Sequence, residues 1–193
     1  MPRHPDPAVE LRILDAAHKL WVRGGTEALT MRTVARAAHT NTPAIYRRFK
    51  NRQDILRGLL LRIQQEVIQV MGQASSPEEL CEGYLQYAIA HAREYELYFL
   101  HQNEILFAGR KRAHSSGQNT YPGREFVRKQ LAGWLGGTPD EQTRLHLALW
   151  ATMHGTVMLL NSKTVQGGAA EDLLAACRMS LSLILDHASV LRQ

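Results

Sequence analysis

Thr30-Met31-Arg32-Thr33-Val34-Ala35-Arg36-Ala37-Ala38-His39-Thr40-Asn41-Thr42-Pro43-Ala44-Ile45-Tyr46-Arg47-Arg48-Phe49-Lys50 is the stretch that decides the fold. Asn41 has the side chain of an N-cap, so a helix starts at Thr42, with Pro43 in the first turn where a missing N–H loses no intrahelical partner. At roughly 100° per residue, Ile45 and Phe49 fall on one side, and Pro43, Tyr46, Arg47 and Lys50 on the other. The first pair anchors the helix in a core and the second group faces out. Before it, Thr30 caps a helix over Met31 to Ala38, whose inward stripe is Met31, Val34, Ala35 and Ala38. His39 to Asn41 form the short connection of a helix-turn-helix, and the outer helix suits a major groove. Two short amphipathic helices also suit any bundle with a basic face, so the flanking sequence carries the decision.

Upstream, Asp6 and Pro7 are the N-cap and first residue of a helix in which Val9, Ile13, Ala16, Ala17, Leu20 and Trp21 recur at helical spacing before Gly24-Gly25 stop it. Downstream, Asn51 caps another helix, Asp54 is placed to reach back as in a capping box, and Ile55, Leu56, Leu59, Leu60, Ile63 and Val67 continue its apolar face. A three-helix unit thus leads straight into a long fourth helix.

The segments Ile13 to Ala17, Gly24-Gly25 to Arg32, Val34-Ala35, Ala37-Ala38, Ile45 to Phe49 and Asn51 to Leu56, in this order and spacing, resemble the TetR/AcrR family of bacterial transcriptional regulators. The resemblance covers about residues 9 to 60 and implies an all-α fold: an N-terminal three-helix unit joined by a long helix to a C-terminal helical bundle for ligand binding and dimerisation. It places a DNA-binding domain at residues 1–51 and an effector-binding and dimerisation domain at 52–193. Two positions depart from the family pattern. His39 stands where the turn usually has Gly, at the cost of a non-Gly residue in a left-handed conformation. Ala44 stands where Thr is frequent, which removes a hydroxyl from one expected DNA contact.

Charge supports a polyanion partner at one end. Residues 1–70 hold 12 Lys and Arg against 6 Asp and Glu, whereas residues 71–193 hold 11 against 12, so the excess of +5 belongs to the N-terminal third. Arg47, beside Tyr46 and away from Ile45 and Phe49, is the candidate for base readout, and Arg48 lies toward the anchored side. Tyr46, Lys50, Arg52, Thr30, Arg32 and Thr33 suit phosphate, since hydroxyls, cations and helix N-termini bind it without reading sequence. Asn41, Thr42, Pro43 and Ala44 complete the expected DNA-facing set at the start of the reading helix.

The rest of the chain reads as helices. Ser76-Pro77-Glu78-Glu79 and Thr138-Pro139-Asp140-Glu141 each supply a cap, Pro at the first position and Glu at the third, which predicts two helix starts. A further helix is expected near Glu94 to Ala108, a loop over Gly109 to Tyr121, and a helix from Pro122 to Leu135 that stops at Gly136-Gly137. The last two helices, Pro139 to about Ser162 and Ala169 to Leu191, are apolar over more than one stripe. Such surplus apolar surface on adjacent helices points to burial against a second copy through a twofold four-helix contact, and the family resemblance implies the same. Burial of both helices inside one subunit is the other reading.

Tyr84, Tyr87, His91, Tyr98, Phe99, Gln102, Phe107, Phe126, Trp134, Trp150, Met153 and His154 lie in helices that, by the resemblance, enclose a ligand cavity. They suit a small, mostly apolar effector held by a few polar anchors, although an aromatic and Met stripe is also ordinary core. His91 and His154 stand out because a buried imidazole needs a partner.

Cys81 and Cys177 lack CxxC spacing and neighbouring His, and both fall on apolar stripes, so core packing is their reading and no metal or cofactor is expected. No nucleophile elbow, phosphate loop, HExxH or dinucleotide fingerprint appears, which argues against an enzyme. The chain begins without a signal-peptide pattern and has no run of about 18 apolar residues, so a cytoplasmic protein without a membrane span is expected. The expected function is a ligand-responsive transcriptional regulator, a repressor that binds a palindromic operator in double-stranded DNA as a homodimer. An activator with the same head and a non-specific architectural DNA binder are the alternatives.

Overall fold

The computed structural model describes residues 7–100 and 122–191, and these residues form helices joined by turns, with no strand among them. The chain clusters into two compact units, one containing residues up to Gln64 together with Arg93 onward in the sixth helix, the other containing Gln65–Ala92 and the C-terminal helices. The division falls later than residue 51, inside the fourth helix.

The first unit begins with α1 (Pro7–Ala28), whose Ile13, Ala17 and Trp21 are buried. Its regular path breaks at Gly24-Gly25, where Gly25 adopts φ 56° and ψ −146°, a conformation open to glycine and strained for other residues. Helical residues resume beyond this break to Ala28, so the first regular stretch stops at Gly24-Gly25 as expected. Next, α2 (Met31–Ala37) opens on a reciprocal box: Thr33 N donates to Thr30 Oγ1 at 3.0 Å and Thr30 N to Thr33 Oγ1 at 2.9 Å. Val34, Ala35 and Ala38 are buried, whereas Met31, expected with them, is half-buried. His39 makes the turn at φ 50°.

Helix α3 (Thr42–Tyr46) is capped by Asn41, whose Oδ1 accepts from Ala44 N at 2.9 Å. One more turn follows, with Phe49 N donating to Ile45 O at 2.9 Å. Then α4 (Arg52–Met71) starts at Asn51, whose Oδ1 accepts from Asp54 N at 3.0 Å, while Asp54 Oδ2 accepts from Lys50 N at 3.0 Å. Ile55, Leu59, Leu60 and Ile63 are buried along it. Helix α6 (Ala92–Leu100), starting slightly before the expected Glu94, contributes buried Glu94, Tyr95, Leu97 and Tyr98 to this same unit. The remainder of the helix expected to Ala108, and the loop expected at 109–121, lie outside the described residues.

In the second unit, α5 (Pro77–Ala90) is capped by Ser76, with Glu79 reaching back to Ser75 N at 2.7 Å. It packs with α7 (Pro122–Leu135) and α8 (Thr143–Asn161), and α8 also packs against α9 (Gly168–Asp186) and α10 (Ala188–Leu191). Gly136 and Gly137, at φ 82° and 78°, end α7 as expected.

Two expected boundaries are corrected. The capping contacts at Thr138 do form, with Thr138 N donating to Glu141 Oε2 at 2.7 Å. They close a separate turn rather than start α8, because Gln142, fully buried, donates through Nε2 to Gly136 O at 2.7 Å and holds the chain back before Thr143. The last helix is also not continuous to Leu191: it ends at Asp186, and His187 at φ −108°, ψ 21° separates it from α10.

Candidate nucleic-acid interface

Helix α3 is held from below. Ile45 is 0% and Phe49 6% exposed, whereas Tyr46 is 53% exposed on the opposite side. Underneath, Phe49 meets the glycine of α4: a Cβ on Gly58 stands 3.3 Å from Phe49 Cε1 and 2.9 Å from Leu14 Cδ2 of α1. Helix α3 is short, so its orientation depends on this packing more than on its own hydrogen bonds.

The outward face gathers much of the expected DNA-facing set. Asn41, Pro43, Arg47 and Lys50 are exposed with Tyr46, and Thr42 is half-buried. Asn41 spends its side-chain oxygen on the cap. Thr30 and Arg32 are exposed at the start of α2, and exposed Arg52 donates to Thr26 O at 3.4 Å. Arg48 is half-buried, as its place toward the anchored side requires.

Two members of the set do not present free groups. Ala44 is 7% exposed, because it sits one residue before Ile45 on the packed side of a tight helix. The Thr33 hydroxyl is engaged inside the cap: it donates to Ala28 O at 2.8 Å and accepts from Thr30 N at 2.9 Å, leaving it little capacity for a phosphate. Arg36 was not in the expected set. It is exposed one helical turn beyond Arg32, and that i, i+4 spacing was the available signal.

The residues expected at an effector site divide between the units. Tyr98 and Phe99 belong to the first, where their rings lie 4.7 Å apart and Tyr98 OH accepts from Gln64 Nε2 at 3.4 Å. Gln102 and Phe107 lie outside the described residues. In the second unit Tyr84 and Met153 are buried, and Tyr87, Phe126, Trp134, Trp150 and His154 are half-buried. His154 stacks on Trp150 at 5.1 Å, and burial holds its imidazole below the usual histidine range. His91, expected as a buried imidazole, is exposed: it terminates α5 and lies 4.5 Å from the Tyr87 ring.

His146 was missed. It is 9% exposed in α8, and burial together with the Arg124 and Arg128 charges pushes its pKa down to about 4. Its position beside Leu145 on an inward face was the signal. A cleft of about 330 Å³ between α5 and α9 includes none of the expected effector residues. At its edge Arg178 donates to both carboxylate oxygens of Glu82, at 2.9 and 2.8 Å, and this pairing holds the Glu82 carboxyl below its ordinary range. Cys81, on its floor, is buried, and burial foremost raises its thiol pKa to about 12.

Two family models match the chain: the bacterial regulatory proteins of the tetR family over residues 13–59, and the tetracyclin repressor-like C-terminal domain over 78–181. The chain belongs to the TetR family. TetR-family proteins are transcription regulators, not enzymes, and α3 lies within the matched N-terminal segment. Among solved structures, this TetR-family chain is similar to a TetR-family transcriptional regulator from Streptomyces coelicolor, with 22% identity, a TM-score of 0.67, and coverage of 93% of this chain and 98% of that one. A TetR-like regulator from Rhodococcus sp. RHA1 gives 18% identity and a TM-score of 0.60, over 92% of this chain and 97% of that one. The multidrug binding protein EbrR, complexed with imidazole, gives 21% and 0.62, over 95% and 93%. At these identities the likeness is one of fold. No curated protein matches this regulator. Among its described residues no helix is long and apolar enough to cross a membrane.

Proposed function

We propose that this TetR-family regulator is a ligand-responsive repressor that binds a palindromic operator as a homodimer, with residues 1–51 reading DNA and residues 52–193 serving the effector and the dimer. The observation that carries the reading is the two-sided segment formed by α3 and the turn after it, with Ile45 and Phe49 sealed and Tyr46, Arg47 and Lys50 standing outside. A bidentate Arg47 to guanine contributes roughly 1–3 kcal/mol of discrimination, whereas Lys50, Arg32, Arg36 and Arg52 suit phosphates.

Surface composition favours a second copy. On α8, Leu147, Ala151, Gly155 and Leu159 form an exposed stripe at i, i+4 spacing. On α9, which packs against it, Met179 and Leu183 are 64% and 56% exposed. An isologous contact across these helices removes both stripes from water and sets two reading heads about a twofold axis, the symmetry of a palindrome. Tyr84, Tyr87, Phe126, Trp134, Trp150, Met153 and His154 favour a small, mostly apolar effector for the second unit. Tenfold release of DNA needs about 1.4 kcal/mol of difference in effector affinity between the DNA-bound and free conformations.

The test is selection of bound duplexes from a random pool, repeated with Arg47→Ala. A palindrome from the wild type and one relaxed position in the variant support the reading. Uniform weakening over all sequences assigns Arg47 to phosphate, and enrichment of no duplex overturns sequence-specific recognition.

A further inference from the structure

Glu94 is a carboxylate 6% exposed on α6, far along the chain from the helix-turn-helix, and the DNA-reading proposal assigns it no task. His18 Nε2 of α1 donates to its Oε1 at 2.7 Å. One residue earlier on α6, the Arg93 carbonyl accepts from the buried indole Nε1 of Trp21 at 2.8 Å. Two polar contacts, spaced one turn apart along α1, therefore fasten the start of α6 to the second half of that helix.

From there α1 leads back to the reading helix. Leu14 lies one turn before His18 on α1, is 8% exposed, and packs over the bare Cα of Gly58, as does Phe49. Phe49 is the foot of α3, and its N–H is bonded to Ile45 O. Glu94, His18, Leu14, Gly58 and Phe49 thus make one packed sequence inside the first compact unit. A carboxylate at this depth is tolerated because it is paired, and removal of His18 takes a charge-assisted contact away from it.

We infer that Glu94 is a positioning residue for DNA binding: through His18 it fixes α1, and through Leu14 and Gly58 it fixes the underside of the reading helix. This rests on the reading of α3 as the DNA-facing helix. It makes the start of α6 part of the support of α3 within the first compact unit.

The experiment uses the full chain with His18→Ala, Glu94→Ala, Glu94→Gln and the His18→Ala/Glu94→Ala pair. Affinity is measured for the duplex enriched by the wild type, and amide hydrogen exchange is followed in the absence of DNA. Each alanine variant is expected to bind about tenfold more weakly, and the pair no more weakly than either single variant, the signature of two groups acting as one contact. Glu94→Gln keeps the acceptor oxygen and is expected to restore most of the affinity. Exchange in Glu94→Ala is expected to quicken at residues 42–49 while α8 stays protected. Unchanged affinity in both alanine variants, additive losses in the pair, or faster exchange confined to α6 overturns the inference. If the wild type enriches no duplex, the DNA reading fails instead, and the exchange pattern at residues 42–49 still decides whether Glu94 supports α3. His18→Ala covers the case in which Glu94→Ala does not fold, since His18 is partly exposed.

Discussion

Leu14 and Phe49 both reach over Gly58, with 2.9 Å and 3.3 Å between their nearest carbons and the position a Cβ on that glycine would take. Alanine there gains roughly 0.5–1 kcal/mol of helix preference, which offsets part of the overpacking because the Leu14 tip can rotate away. Valine gains no such preference and drives its branches at the Phe49 ring. Gly58→Val is expected to lower stability by about 2–3 kcal/mol and Gly58→Ala by less than about 1 kcal/mol, measured by urea unfolding. Equal stability of Gly58→Val and the wild type contradicts the close approach.

The turn of the helix-turn-helix contains a second backbone test. His39 is exposed and holds φ 50°, where a Cβ crowds the backbone. His39→Gly relieves that strain while adding freedom to the unfolded chain, and the first effect is the larger. The expected net gain is about 0.5–1 kcal/mol in unfolding free energy, visible as a small rise in Tm. A fall in Tm shows that the His39 side chain contributes more than its backbone strain costs.

His146 gives the fold an acid-sensitive point. Its pKa is about 4 in the fold against an ordinary 6.5, so the unfolded chain binds the proton more readily between those values. The contribution is present in full above about pH 6.5 and is lost as pH falls toward 4, by up to about 3 kcal/mol. In denaturant unfolding, the stability difference between the wild type and His146→Leu is expected to shift against the wild type between pH 7 and pH 4.5. A difference that does not change with pH shows that the imidazole is not held neutral.

Gly155 separates folding from assembly. A Cβ placed on it meets nothing within 4 Å, and it lies in the middle of the exposed α8 stripe. Gly155→Trp is expected to leave helicity and melting of the subunit near wild type while shifting the protein from dimer to monomer by light scattering. A dimer of unchanged affinity moves the twofold contact away from this stripe.

Much of the helix-turn-helix was legible because its determinants are local. The Asn41 and Thr30 caps, the inward placement of Ile45 and Phe49, and the exposure of Tyr46 and Arg47 depend on neighbours within a turn or two, and helical spacing reveals them. Thr33 was less legible: its hydroxyl chemistry suits both phosphate and a cap, and its contacts with Thr30 N and Ala28 O assign it to the cap. At Thr138 the local signal formed its hydrogen bonds and still did not begin the helix, because Gln142 was pinned to Gly136 across the turn.

The effector residues were the least legible. An aromatic at helical spacing carries no mark of whether it faces a ligand or a neighbouring helix, and the structure distributes the expected set over two compact units, with His91 at the surface. His146, by contrast, is held uncharged by burial foremost and then by the Arg124 and Arg128 charges on another helix, none of which its own neighbours along the chain reveal.

By itself the sequence determined the helical class, the helix-turn-helix and the buried and exposed sides of its second helix, because periodicity and capping act over a few residues. Tertiary structure alone decided that α6 shares a core with the reading head, through His18 and Glu94 and through Trp21 and the Arg93 carbonyl. Those partners are brought together by burial of apolar surface between distant segments, and a hydrogen bond of that kind has no signature in the spacing of residues along the chain.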